Sequence, residues 1–167
     1  YSVVFTFIFL FAAVVIFLST VGLETSKFNN LIIKEIEKKE PKIELELKKI
    51  KIKLDLKKIQ LFLSTNNPKI VYQKIKIPIT EIKIYSKINK IFSSKVEVSK
   101  ILFSIEKFKI QDIQKIAIRV KPSNFKAYLL NNIIGGEIEK ASFNLDINKN
   151  FKLVDYNVSG SVKKIDS

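Results

Sequence analysis

Residues 42–65 read KIELELKKIKIKLDLKKIQLFLST, and apolar side chains return there at every second position. Ile43, Leu45 and Leu47 alternate with Glu44, Glu46 and Lys48. Ile50, Ile52, Leu54 and Leu56 then alternate with Lys51, Lys53 and Asp55, and Ile59, Leu61 and Leu63 follow beyond Lys57-Lys58. A period of two sends successive side chains to opposite faces of a strand, so this stretch predicts β-strands with one greasy and one charged face. The apolar phase slips by one at Lys48-Lys49 and again at Lys57-Lys58. Two-residue hairpin loops favour Asn-Gly or Gly-X, which accept positive φ. The Lys-Lys pairs therefore read as β-bulges in long bent strands, with tight turns as the alternative.

The same grammar continues downstream. Asn66-Asn67-Pro68 predicts a turn, and strands resume over 69–85 with an edge or break at Pro78. Residues 86–94 predict a short helix packing Ile88, Ile91 and Phe92; Val96 to Ile110 returns to strand, and Gln111 to Ile118 fits either period. Pro122-Ser123 opens a helix striped by Phe125, Leu129 and Ile133, which Gly135-Gly136 close. A last hairpin runs through Ala141, Phe143, Leu145 and Ile147, turns at 148–150, and comes back through Tyr156, Val158 and Val162. The expected fold is mainly antiparallel β, a curved β-groove or half-pipe, with a few short amphipathic helices. Its apolar face must be covered. Either helices and a folded-over sheet close it as an ordinary core, or it stays concave and is completed by acyl chains, each buried methylene contributing about 0.8 kcal/mol. The candidate lining positions are Ile43, Leu45, Leu47, Ile50, Ile52, Leu54, Leu56, Ile59, Leu61 and Leu63.

Upstream, residues 24–40 place Phe28, Leu31, Ile32 and Ile36 on one helical stripe, with Thr25 or Ser26 as cap and Pro41 as stop. This membrane-proximal amphipathic helix either lies in the bilayer interface or plugs the open end of the sheet. Before it, Tyr1 to Leu23 carry no charge. As a helix they cover about 34 Å, enough to cross a hydrocarbon core of about 30 Å. The run exceeds a secretory h-region, and Thr20-Val21-Gly22 is a poor cleavage site, so a retained transmembrane anchor is expected. The chain starts with Tyr, so its natural start, with the charges that fix orientation, is expected upstream. The expected divisions are 1–23 anchor, 24–40 helix and 42–167 β-rich domain.

Composition removes most chemistry. The chain has no Cys, His, Met or Trp, which excludes imidazole catalysis, thiol nucleophiles and the usual zinc sites. None of its four glycines sits in a phosphate-cradling motif. The carboxylate pairs Glu44/Glu46 and Glu137/Glu139 alternate with apolar residues beside lysines, the pattern of a solvated outer face. No catalytic residue, metal ligand or cofactor is assigned, and an enzyme is not expected. The net charge of +14 rests almost wholly on Lys, Arg119 being the only arginine. A/T-rich coding or attraction to acidic lipid accounts for that balance. Nucleic-acid readers lean on Arg and exposed aromatics, so no nucleic-acid partner is expected.

The order of these segments carries a resemblance. VGLETSKFNNLI (21–32), KIKIKLDLKKIQLFLSTNNPKIVY (49–72), IPITEIKIY (77–85) and KPSNFKAYLLNNI (121–133) before GGEIE (135–139) resemble the start of bacterial AsmA-like proteins of the TamB/YhdP type, in their alphaproteobacterial form. The resemblance implies a single-pass inner-membrane anchor, a periplasmic β-groove body akin to bridge-like lipid transfer proteins, and a role in phospholipid transport to the outer membrane and envelope biogenesis. It implies that this chain is the N-terminal mouth of a longer conduit, with membrane lipid as partner. It supplies no catalytic residue. The alternative is a membrane-tethered β scaffold that assembles envelope proteins by strand addition; a basic surface gripping anionic headgroups is a third reading.

Overall fold

The structure, a computed structural model, describes residues 2–26, 29–86, 98–118, 127, 130–131, 135–148 and 152–166. In chain order it contains α1 (Ser2–Thr20), β1 (Leu23–Thr25), α2 (Asn29–Lys39), β2 (Ile43–Glu46), β3 (Ile50–Asp55), β4 (Gln60–Asn66), β5 (Lys69–Tyr72), β6 (Ile75–Ile77), β7 (Ile79–Ser86), β8 (Val98–Lys109), α3 (Ile110–Ile118), β9 (Gly135–Ile147) and β10 (Leu153–Asp166). The expected class holds: the molecule is mainly antiparallel β with an apolar N-terminal helix and few short helices. Seven strands form one sheet in the order β1-β3-β4-β7-β8-β9-β10, and β2-β5-β6 form a second. The large sheet is open, with β1 and β10 at opposite edges.

Register explains which side chains share a face. Leu23 opposes Ile52, Ile52 opposes Leu63, Leu63 opposes Ile84, Ile84 opposes Ile101, Ile101 opposes Leu145, and Leu145 opposes Tyr156. One apolar row thus crosses all seven strands, about 29 Å at the usual strand spacing. On the other face Lys51, Ser64, Lys83, Leu102, Asn144 and Asn157 follow one another in the same way. Cross-strand pairs weld each face: Phe103 and Phe143 stack at 4.5 Å on the apolar side, and Lys100 meets Asp146 at 3.1 Å on the polar one.

Two expectations need correction. The phase slips are not bulges. At Lys48-Lys49 the chain leaves the small sheet for the large one, and buried Asn29 secures the crossing by donating Nδ2 to the carbonyls of Leu47 and Lys48, both at 3.0 Å. At Lys57-Lys58 the chain turns from β3 into β4: the Asp55 carboxylate accepts the N–H groups of Lys57 (3.0 Å) and Lys58 (3.2 Å), and Ile59 takes a φ of 50°. An Asp side chain can build a turn from its own following amides, so no Asn-Gly is needed. Glu24 and Thr25, expected within the helix after the anchor, are strand instead, because Leu23–Thr25 pair with β3; the described part of the helix is Asn29–Lys39.

Other expectations hold. The helix stops before Pro41, Pro78 separates β6 from β7, Asn67 forms a turn with φ 47°, and the last two strands form a hairpin. Residues 110–118 are helical. Of the helix expected over 86–94, Ser86 instead ends β7 and the remainder lies outside the described residues, as do Phe28 and most of the helix opened by Pro122.

Candidate hydrophobic groove

Two covers sit on the apolar face. Over its first half, α2 and the small sheet close against β3, β4 and β7, but they leave a cavity of about 190 Å³. Its walls are Ile32 and Ile36 of α2, Ile43, Leu45 and Ile70 of the small sheet, Leu47 of the connection, and Ile50, Leu63, Ser64, Thr65, Ile82 and Ile84 of the large one. An engineered cavity of about 150 Å³ with such a lining stays dry and takes up benzene, so this space suits a hydrocarbon segment rather than water. Over the second half, α3 supplies Ile113 and Ile116 to a cluster around Ile105, Phe108 and Ala141. Phe103 and Phe143 pack against the same cluster; beyond these covers the apolar row emerges, with Ile101 and Leu145 half-buried and Tyr156, Val158 and Val162 on β10 exposed.

The candidate lining residues divide into three groups. Ile43, Leu45, Leu47, Ile50 and Leu63 converge on the cavity. Ile52, Leu54 and Leu61 lie on β3 and β4 in the same apolar face but outside its walls. Leu56 and Ile59 sit in the β3–β4 turn and point to solvent. Of the helix positions, Ile32 and Ile36 face the cavity, which fits a plug over the sheet better than a helix lying in the bilayer interface. Leu31 belongs to α2. Ile70, Ile82 and Ile84 were missed, although the alternation over 69–85 marks them as apolar. Nothing local says that they meet residues far upstream.

The junction between α1 and the sheet is short and tightly built. α1 ends with Val21 and Gly22 N–H both donating to the Phe17 carbonyl, and Gly22 has a φ of +78°. Lys53 Nζ donates to the free Thr20 carbonyl at 3.0 Å, a cation on the negative end of the helix. One residue into β1, Glu24 meets Lys49 at 3.0 Å and Lys51 at 3.2 Å. Hydrogen bonds from those two lysines, with their charge, hold its carboxyl below the ordinary value. α1 itself is long and apolar enough to span a membrane, and none of its spanning window is covered by the rest of the protein.

The polar face carries a larger trough of about 450 Å³, walled by Glu81, Lys83, Leu102, Ser104, Ser142, Asn144, Asn157 and Ser159. Lys83 pairs with Glu81 at 2.9 Å, and the Ser104 and Ser142 hydroxyls lie 3.2 Å apart. Lys83 and Glu81 offset each other's charge, and the trough reads as the wet side of the sheet. Among the described residues no three His, Cys, Asp or Glu side chains converge as metal ligands would. No protein-family model, curated protein or solved structure matches this chain.

Proposed function

We propose that this chain is a membrane-anchored, non-catalytic hydrocarbon-handling module, an AsmA-like β-groove protein that accepts phospholipid acyl chains for transport towards the outer membrane. In this reading α1 holds the domain on the inner membrane, the body lies in the periplasm, and lipid tails occupy the apolar face. One observation carries the reading: a continuous apolar row starts at the strand that leaves α1, passes beside a hydrocarbon-sized cavity, and ends uncovered on β10. Retention of α1 is supported by its closing contacts, since cleavage after Gly22 would remove the Thr20 carbonyl that Lys53 binds.

The test places a photoreactive amino acid at Ile36 or Ile84, and at Lys83 as the neighbouring position on the opposite face. In cells, Ile36 and Ile84 should label phospholipid several-fold more strongly than Lys83. Equal labelling at Ile84 and Lys83 refutes the groove. A second reading, a scaffold for envelope protein assembly, is favoured by β10, a fourteen-residue edge strand exposed along 152–163. It predicts cross-links from Tyr156 and Val158 to protein and none from Ile84 to lipid.

A further inference from the structure

The β3–β4 turn breaks two rules at once. Leu56 and Ile59, large apolar residues, are 56% and 74% exposed. Ile59 is also β-branched with a φ of 50°, where Gly or Asn is the relaxed choice. The turn is nonetheless fixed in place, with both lysine amides bound by Asp55 and Lys58 Nζ lying 4.6 Å above the Tyr85 ring. The fold gains nothing from presenting these two side chains to water.

Position supplies the compensation. β1 runs antiparallel to β3, with Thr25 opposite Ile50 and Leu23 opposite Ile52. Going back along the chain towards α1 is therefore going forward along β3 towards Leu56. Lys53 is level with the end of α1, bonded to the Thr20 carbonyl. Leu56 is three residues further, about 10 Å along an extended strand. The interfacial layer between water and hydrocarbon is about 5–8 Å deep on each side of a bilayer. With α1 spanning, the turn reaches through the headgroups to the hydrocarbon boundary.

We propose that the Leu56–Ile59 turn is a second membrane contact: Leu56 and Ile59 insert beside the end of α1 in the same leaflet, and Lys57 lies among anionic headgroups. Two contacts on one rigid sheet fix its tilt over the bilayer, which one helix alone does not. The proposal shares only the anchor with the groove reading, so lipid labelling at Ile84 can fail while this contact stands.

The chain has no cysteine, so single-cysteine variants of the full protein can carry an environment-sensitive fluorophore. Leu56→Cys and Ile59→Cys are placed in vesicles of phosphatidylethanolamine and phosphatidylglycerol, with Phe9→Cys in α1 as the bilayer reference and Asn67→Cys in the β4–β5 turn as the aqueous one. Labels at 56 and 59 should be quenched by lipid-borne nitroxides and be several-fold less accessible to iodide than the label at 67. Lys57→Glu should reduce the nitroxide quenching at 56 in these vesicles. Iodide access at 56 equal to that at 67, with Phe9 in lipid, overturns the proposal; a water-exposed Phe9 label overturns it together with the anchor. If Ile59→Cys misfolds, Leu56→Cys decides alone, because its backbone conformation is ordinary.

Discussion

Replacing Asp55 by Ala should lower stability by about 2 kcal/mol, and the sum can be traced bond by bond. Its carboxylate accepts the Lys57 and Lys58 amides at an exposed turn, where water partly replaces it, as at a helix N-cap; that loss is about 1 kcal/mol. It also accepts the Tyr85 hydroxyl at 3.3 Å; Tyr85 is only 6% exposed, so an orphaned hydroxyl there costs about 1 kcal/mol more. The Lys58 ammonium, 4.0 Å away and half in water, adds close to nothing. For a chain of this size about 2 kcal/mol is about 4–8 °C in Tm, read by strand circular dichroism on the full protein in detergent. Asp55→Asn keeps a neutral acceptor for the amides and should lose less than half as much. Tyr85→Phe should cost little once Asp55 is Ala, because the two share one bond. An unchanged Tm for Asp55→Ala, or strict additivity with Tyr85→Phe, refutes the reasoning.

Gly22→Ala should cost about 1–2 kcal/mol for the left-handed φ alone, and the new methyl would also sit 2.9 Å from the Ile52 carbonyl; amide exchange at Leu23–Thr25 should accelerate while β9 amides stay protected. Glu24→Gln should flatten the acid limb of stability: the lowered carboxyl stabilises the fold fully above its ordinary 4.5, and that contribution is lost as pH falls through the lowered value. An acid limb identical in wild type and variant counts against the Lys49–Glu24–Lys51 cluster. Burial first, then the Asp55 charge, raises the Tyr85 pKa above 10.0. Its contribution is therefore complete below 10.0 and disappears as pH rises through the raised value, so Tyr85→Phe should unfold less steeply in alkali. Gln73 and Lys74 both have positive φ (48° and 69°) in the β5–β6 turn, so Lys74→Gly should raise Tm by about 2–4 °C, the equivalent of about 1 kcal/mol; a fall in Tm rejects the assigned turn.

The period-two alternation over 42–65 was enough to declare strands, and the uncharged run of 1–23 was enough to declare a helix of membrane length. Both are properties of neighbouring residues, written in local side-chain chemistry. The same holds for Asn67, Pro78 and the terminal hairpin. Where local rules misled, a side chain from elsewhere or an unusual backbone had intervened. Lys48-Lys49 looked like a bulge because Asn29, many residues away, is what lets the chain change sheets. Lys57-Lys58 looked unfit for a turn because Asp55 and a strained Ile59 supply what glycine normally would. Thr25 does not cap the helix, because pairing of Leu23–Thr25 with β3 overrode helix-start chemistry there.

The amino-acid sequence alone settled the apolar and polar sides of each strand, because the pleat alternates whatever the strand pairs with. It could not say which strands lie side by side, since hydrogen-bonded ladders join residues by geometry and any Ile-rich strand would serve as partner. Only the folded chain brought Ile36, Leu45 and Ile84 around one cavity, left β10 open, and set the Leu56–Ile59 turn at the foot of α1. Those placements arise from long-range pairing and sheet crossing, and a one-residue change of register would have reversed every face.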